Sequence, residues 1–290
     1  MIKTTVVGSY PTPFWLRVHS TRDSLRDAIL AVLKTQELAG IDVVADGELY
    51  RWDINHGETN GMIDYFLRPL EGVSTLLSYE QLQKWREQEG MQFRSSPPGI
   101  ITGPVGAGQL DLPSDYLLYL ELTSTPINFT VTSPFMLSKA VADHHYHDLE
   151  KRTMAIAEVI REQVREIDAD IIQVDEANVT GHPDEAPIAA AGINKVLEDV
   201  RNEKAVHLCY GNYGGQTIQK GAYSPLIAFL NALHADHVVL EMARRPEHEL
   251  DALTDVKLEL GIGLGVIDIK DNEVESAELV ARRIETAAGK

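Results

Sequence analysis

Asp170-Ile171-Ile172-Gln173-Val174-Asp175-Glu176 follows a long amphipathic stretch, Asp148 to Ile167, and this junction decides the fold class. Met154, Ile156, Val159, Ile160, Val164 and Ile167 recur at helical spacing, which predicts a helix with one apolar face. The run after it is short and apolar and closes on two acids, the pattern of a strand. The alternation extends in both directions. Thr5 to Tyr10 reads as a strand ending in a Gly-Ser-Tyr-Pro turn. A helix over Ser24 to Leu38 follows, with Gly40 at its C-terminal end, and then a second strand, Ile41 to Ala45. Further strands are expected at Gly99–Thr102, Phe129–Thr132, Asp170–Val174, Ala205–Tyr210, His237–Leu240 and Gly263–Ile269. Eight such runs interleaved with helices predict parallel strands closed into a (β/α)8 barrel. A doubly wound open sheet would place a Gly-rich phosphate turn after its first strand, and Val7-Gly8-Ser9-Tyr10-Pro11 is not one.

One segment breaks the rhythm. Leu49 to Pro98, between the second and third runs, carries Tyr50, Trp52, Tyr65, Phe66, Tyr79, Trp85 and Phe93. A connection of that length is either a lid over the site or a small helical decoration packed on its own aromatics. With no internal repeat or linker, residues 1–290 read as one domain.

The chain has 26 Lys and Arg against 44 Asp and Glu, a formal charge of −18. That balance argues against nucleic acid or an anionic membrane as partner, since both need clustered positive charge. Cys209 is the single cysteine, so an intramolecular disulfide is excluded and a reducing compartment is expected. Met1 to Tyr10 does not read as a secretory signal, and no run approaches the roughly 20 apolar residues of a membrane span. A cytoplasmic protein is the expectation.

The chemistry concentrates at strand ends, where a barrel carries its active site. In Val206-His207-Leu208-Cys209-Tyr210-Gly211, positions i and i+2 of a strand point to one side, so His207 and Cys209 project together. The loop Gly211-Asn212-Tyr213-Gly214-Gly215 follows them. An imidazole beside a thiolate makes a good zinc pair, and Glu241, closing Val238-Val239-Leu240-Glu241, is the candidate third ligand. The alternative is a satisfied core histidine beside an inert buried thiol. Asp46-Gly47-Glu48, Gln173-Val174-Asp175-Glu176 and Ile267-Asp268-Ile269-Lys270-Asp271 add acids to further strand ends, as a site for an amine-bearing substrate would.

Taken together, Val7-Gly8-Ser9-Tyr10-Pro11, Asp46-Gly47-Glu48, Gln173-Val174-Asp175-Glu176, His207-x-Cys209-Tyr210 and Gly265-Val266-Ile267-Asp268 resemble the catalytic domain of cobalamin-independent methionine synthase. Its zinc-dependent relatives, including epoxyalkane:coenzyme M transferase, are similar too. The resemblance implies a (β/α)8 barrel of the methionine synthase/uroporphyrinogen decarboxylase type, extended between strands two and three. It implies one Zn²⁺ held by His207, Cys209 and Glu241, and contacts from Ser9, Glu48 and Asp175 to the amino-acid end of homocysteine. Asp175, Asp268 and Lys270 fall at its catalytic positions, with Lys270 standing where the family has a histidine. The family's second zinc-binding cysteine, on a strand beyond the helix that here spans Glu275 to Ala288, has no counterpart in residues 1–290.

The implied reaction is methyl transfer to the homocysteine thiol, giving methionine. Methyltetrahydrofolate, or a methyl-corrinoid delivered by a corrinoid protein, would be the donor. One alternative is thiol addition to an epoxide, with Arg51, Arg244 or Arg245 holding the sulfonate of coenzyme M. Others are a barrel that binds a thiol or corrinoid without turning it over, and a metal-free lyase or decarboxylase.

Overall fold

The computed structural model describes residues 2–53, 61–87, 96–212 and 215–289. The helix expected over 148–167 is Leu149–Val164. Asp148 caps it by accepting the Lys151 amide at 2.9 Å, and its apolar face buries Ile156, Ala157, Val159, Ile160 and Val164. The earlier helix, Arg22–Leu38, starts on a Thr21 side chain that accepts the Ser24 amide at 3.1 Å. It is followed by Gly40 at φ +76, the left-handed conformation that ends many helices.

The described residues form eight strands: β1 Glu71–Ser74, β2 Ile100–Gly106, β3 Asn128–Thr132, β4 Ala142–Asp143, β5 Ile171–Glu176, β6 Glu203–Leu208, β7 His237–Glu241 and β8 Gly261–Gly265. Five of them form one parallel sheet in the order β3-β5-β6-β7-β8. Parallel bridges Val44↔Ile127 and Thr5↔Val43 continue this surface beyond β3 to the first two sequence runs. The result is a succession of parallel positions in chain order with helices between them, the architecture of a (β/α)8 barrel. Among the described residues no hydrogen-bonded pairing joins β8 to the Thr5 segment.

Two expectations are corrected. Gly99–Thr102 forms a strand, β2, but not a barrel strand: it pairs antiparallel with β1 and parallel with β4 in a separate three-stranded sheet. A short apolar run has no intrinsic partner, and here the partner is the hairpin strand upstream. The runs at Thr5–Tyr10 and Ile41–Ala45 contribute single bridges rather than regular ladders.

Register assigns the two faces of the barrel wall. Val131, Val174, Val206, Val238 and Ile262 are matched along one row, and the first four are buried in the wall's outer face against the helices. The alternate row, Thr132, Asp175, His207, Val239 and Gly263, faces the barrel interior. Deeper inside, Val43, Ile171 and Ala205 form a small apolar plug separate from the main core.

The described residues between Leu49 and Pro98 form a 3-10 turn, Leu49–Arg51, two short helices, Asp64–Leu67 and Tyr79–Arg86, and β1. Ser78 and Gln81 close the second helix with reciprocal side-chain to backbone bonds. Tyr50, Tyr65 and Phe66 pack edge to face, with centroids 5.5 and 5.1 Å apart, and Trp85 is buried whereas Tyr79 is exposed. Phe93, Tyr213 and Gly214 lie outside the described residues. No described helix is long and apolar enough to cross a membrane.

Candidate active site

The second run delivers its acids through a tightly held turn. The Gln36 carboxamide clamps Ala45, accepting its N–H at 2.9 Å and donating to its carbonyl at 2.7 Å. Gly47 then turns at φ +73, and Glu48 follows at φ +59, a conformation rare outside glycine. The Asp46 carboxylate accepts the Glu48 amide at 2.5 Å and fixes that turn. Burial, the dominant effect, raises the Asp46 carboxyl to about 6 against the pull of Arg51.

This geometry turns the Glu48 carboxylate into a buried cluster. Ser9 Oγ donates to it at 2.5 Å and Thr130 Oγ1 at 3.2 Å, and Arg51 Nη1 lies 3.1 Å away. Arg51 also donates to the Thr130 carbonyl at 2.6 Å, and its guanidinium sits over Phe66 at 5.1 Å. Asp175, from β5, accepts from Gln173 Nε2 at 2.7 Å, and Gln173 in turn accepts from Asn128 at 3.0 Å. Burial, reinforced by the nearby Glu48 charge, raises the Asp175 carboxyl to about 6, although His207, Gln173 and Arg51 oppose the shift.

His207 sits directly beside Asp175 in the β5–β6 register. Its Nδ1 donates to the Val239 carbonyl at 3.1 Å, which fixes the orientation of the ring. Burial works against its charge, but the Cys209 sulfur and Asp175 outweigh it and raise the imidazole to about 9. His207 and Cys209 are hydrogen-bonding neighbours, as expected for alternate residues of one strand. Cys209, half-buried just past β6, is fixed by its amide, which donates to the Glu176 carbonyl at 3.1 Å.

Glu241 closes β7 two residues beyond Val239, the register partner of His207, so its backbone stands level with Cys209 on the same side of the wall. Its carboxylate is already engaged: Lys270 Nζ lies 2.5 Å from one oxygen, and the Tyr210 amide donates to the other at 3.1 Å. Asp268 pairs instead with Arg244 at 3.1 Å and accepts the Lys270 amide at 3.0 Å. Among the described residues no three His, Cys, Asp or Glu side chains converge as a metal cluster. The donor set does fit zinc in kind and backbone placement, since nitrogen, sulfur and carboxylate oxygen come from adjacent strand ends on one face. What stands apart is the Glu241 carboxylate, turned to Lys270.

The tertiary structure adds residues that pattern reasoning passed over. Thr130 bridges Glu48 and Arg51 from β3. Tyr223, fully buried, donates its hydroxyl toward the carbonyls of Leu208 and Glu241, at 3.2 and 3.1 Å, and ties the ends of β6 and β7 together. Neither carried a local signal. A buried threonine within an apolar strand run was the one hint available. The three arginines expected to hold a sulfonate each have a carboxylate partner: Arg51 with Glu48, Arg244 with Asp268, Arg245 with Glu249.

A parallel barrel wall that gathers acids, an imidazole and a thiol at its strand C-terminal ends belongs to the (β/α)8-barrel class, and this cluster is its candidate site. The chain belongs to the cobalamin-independent synthase catalytic-domain family, a family of methyltransferases, which matches residues 2–290. It is 26% identical to the methionine synthase of Pyrococcus furiosus, over 98% of this chain and 80% of that protein. It is also 26% identical to the methionine synthase of Sulfurisphaera tokodaii, over 97% and 79%. Among solved structures it resembles a B12-independent methionine synthase from a Shewanella species, bound to selenomethionine. That likeness has a TM-score of 0.80 at 26% identity and covers 99% of this chain and 86% of that one. The match corrects one expectation. A family defined as cobalamin-independent gives no place to a corrinoid donor or a corrinoid protein partner.

Proposed function

We propose that this enzyme methylates the thiol of homocysteine, with methyltetrahydrofolate as donor and residues 1–290 acting as one catalytic domain in the cytoplasm. The observation that carries the reading is the convergence of Glu48 and Asp175 with His207 and Cys209 on one interior face. An amino-acid thiol needs both halves of that arrangement.

Glu48 and Asp175 hold the substrate ammonium by charge-assisted hydrogen bonds. Ser9, which donates to Glu48, orients that carboxylate and stands ready to meet the amino-acid end of the substrate. The network from Asn128 through Gln173 to Asp175 keeps the second carboxylate aimed inward without a loose rotamer. His207, Cys209 and Glu241 would hold Zn²⁺. When bound, zinc keeps a coordinated thiol deprotonated at neutral pH and leaves it nucleophilic. Lys270 and Asp268 line the same mouth. Tyr50, Tyr65 and Phe66 pack beside Arg51 and form an apolar backing behind the Glu48 cluster.

The test is direct. The purified chain is supplied with zinc, homocysteine and methyltetrahydrofolate carrying one or several glutamates, and methionine is quantified by mass spectrometry. Formation of methionine that fails in Cys209→Ser and falls at least a hundredfold in Asp175→Asn supports the proposal. Methyl transfer that survives both substitutions would rule it out.

A further inference from the structure

The Lys270–Glu241 ion pair has a consequence for metal binding. Lys270 Nζ lies 2.5 Å from Glu241 Oε1, its side chain is only 3% exposed, and the second carboxylate oxygen is taken by the Tyr210 amide. Both oxygens that could reach a metal therefore already have donors.

The lysine is delivered by a built turn. Its amide donates to Asp268 Oδ1 at 3.0 Å, the Asp268 amide donates to Glu275 at 2.9 Å, and Arg244 pairs with Asp268 at 3.1 Å. A buried ammonium is stable only with a partner, and the carboxylate facing this one is Glu241. A divalent cation on Glu241 must displace that ammonium or tolerate a like charge at close range. Either way the metal is held less tightly than the same donors would hold it alone.

We propose that Lys270 is an internal cation that competes with the metal for Glu241 and so sets the site's affinity for zinc. The inference rests on the reading of His207, Cys209 and Glu241 as metal donors. Lys270 acts through Glu241, and is a positioning residue in this role. The ion pair satisfies Glu241 in the metal-free protein, and the lysine releases it as zinc enters.

Zinc affinity of the 290-residue chain, measured by competition with a chromogenic chelator, tests this without any turnover. Lys270→Gln is expected to bind zinc at least tenfold more tightly than wild type, while Lys270→Arg, which keeps the charge, stays close to wild type. In a Glu241→Gln background the Lys270→Gln effect should vanish. An unchanged or weaker affinity in Lys270→Gln, or an effect that persists without Glu241, overturns the inference. Lysine acetylation read by mass spectrometry gives a second measure on unmutated protein: Lys270 should label faster once zinc is added, and equal or slower labelling counts against release. If His207→Ala and Cys209→Ser bind zinc as well as wild type, the metal-site reading itself fails, a result separable from failure at Lys270.

Discussion

Arg51 and Glu48, three residues apart, form an ion pair of 3.1 Å with both side chains almost wholly out of water, at 1% and 3% exposure. The left-handed backbone at Glu48 folds the turn back so that the two side chains meet, and Thr130 seals the pair from β3. The guanidinium is therefore part of the wall that presents Glu48, rather than a free cation at the mouth.

Replacing one partner of such a pair leaves a buried charge uncompensated. Arg51→Met is expected to lose about 3–5 kcal/mol of stability in urea unfolding. The double variant Arg51→Met/Glu48→Gln should recover part of that loss. A single-variant change under about 1 kcal/mol would mean that water reaches the pair.

The buried Asp46 carboxyl, raised by burial to about 6 from 3.8, disfavours the folded state once ionised. Because the folded state binds the proton more tightly, its contribution is fully present below about pH 4. It is lost as pH rises through about 6. Asp46→Asn, which keeps an acceptor for the Glu48 amide, should remove this part of the pH dependence. The wild-type minus variant difference should fall by up to about 3 kcal/mol between pH 4 and 7. Parallel profiles from chemical denaturation would refute the burial argument.

Tyr223 holds the ends of β6 and β7 through one hydroxyl placed between two carbonyls. Tyr223→Phe is expected to lose about 1–3 kcal/mol and to weaken zinc binding, because Cys209 and Glu241 stand at the strand ends it joins. Undiminished stability in thermal or urea unfolding would show the hydroxyl to be dispensable.

Gly47 has φ +73, and a Cβ there would come within 2.9 Å of Tyr10 Cβ and 3.0 Å of Val32 Cγ1. Gly47→Ala should cost more than about 2 kcal/mol and displace Glu48 from the cluster. Methyl-transfer activity and melting temperature should fall together, and retention of both would contradict the close packing.

Ser9→Ala removes the 2.5 Å hydrogen bond to Glu48 and leaves Arg51 in place. The expected result is a three- to tenfold rise in KM for homocysteine with kcat and stability little changed. A loss confined to kcat would place Ser9 in the chemical step instead.

What could be read along the chain was what short-range periodicity encodes. Helical spacing over 148–167 marked the helix Leu149–Val164, and the acids closing β5 marked a strand end. The two-residue repeat of a strand put His207 and Cys209 on one side, because alternation needs no knowledge of the partner strand. The (β/α)8 class followed from many such units in a row. Partners distant in sequence carry no such local signal. Nothing in Gly99–Thr102 announced that it would pair with β1 outside the barrel, since an apolar run accepts any compatible edge. Nor did the residues around Glu241 show that its carboxylate would meet Lys270, 29 positions later, before it could meet a metal. The Arg51–Glu48 pair needed the left-handed turn, and Thr130 and Tyr223 needed their strands brought alongside. Residue type sets what chemistry is available. Only the fold decides which charges share a buried space, because that depends on desolvation and register across strands far apart in sequence.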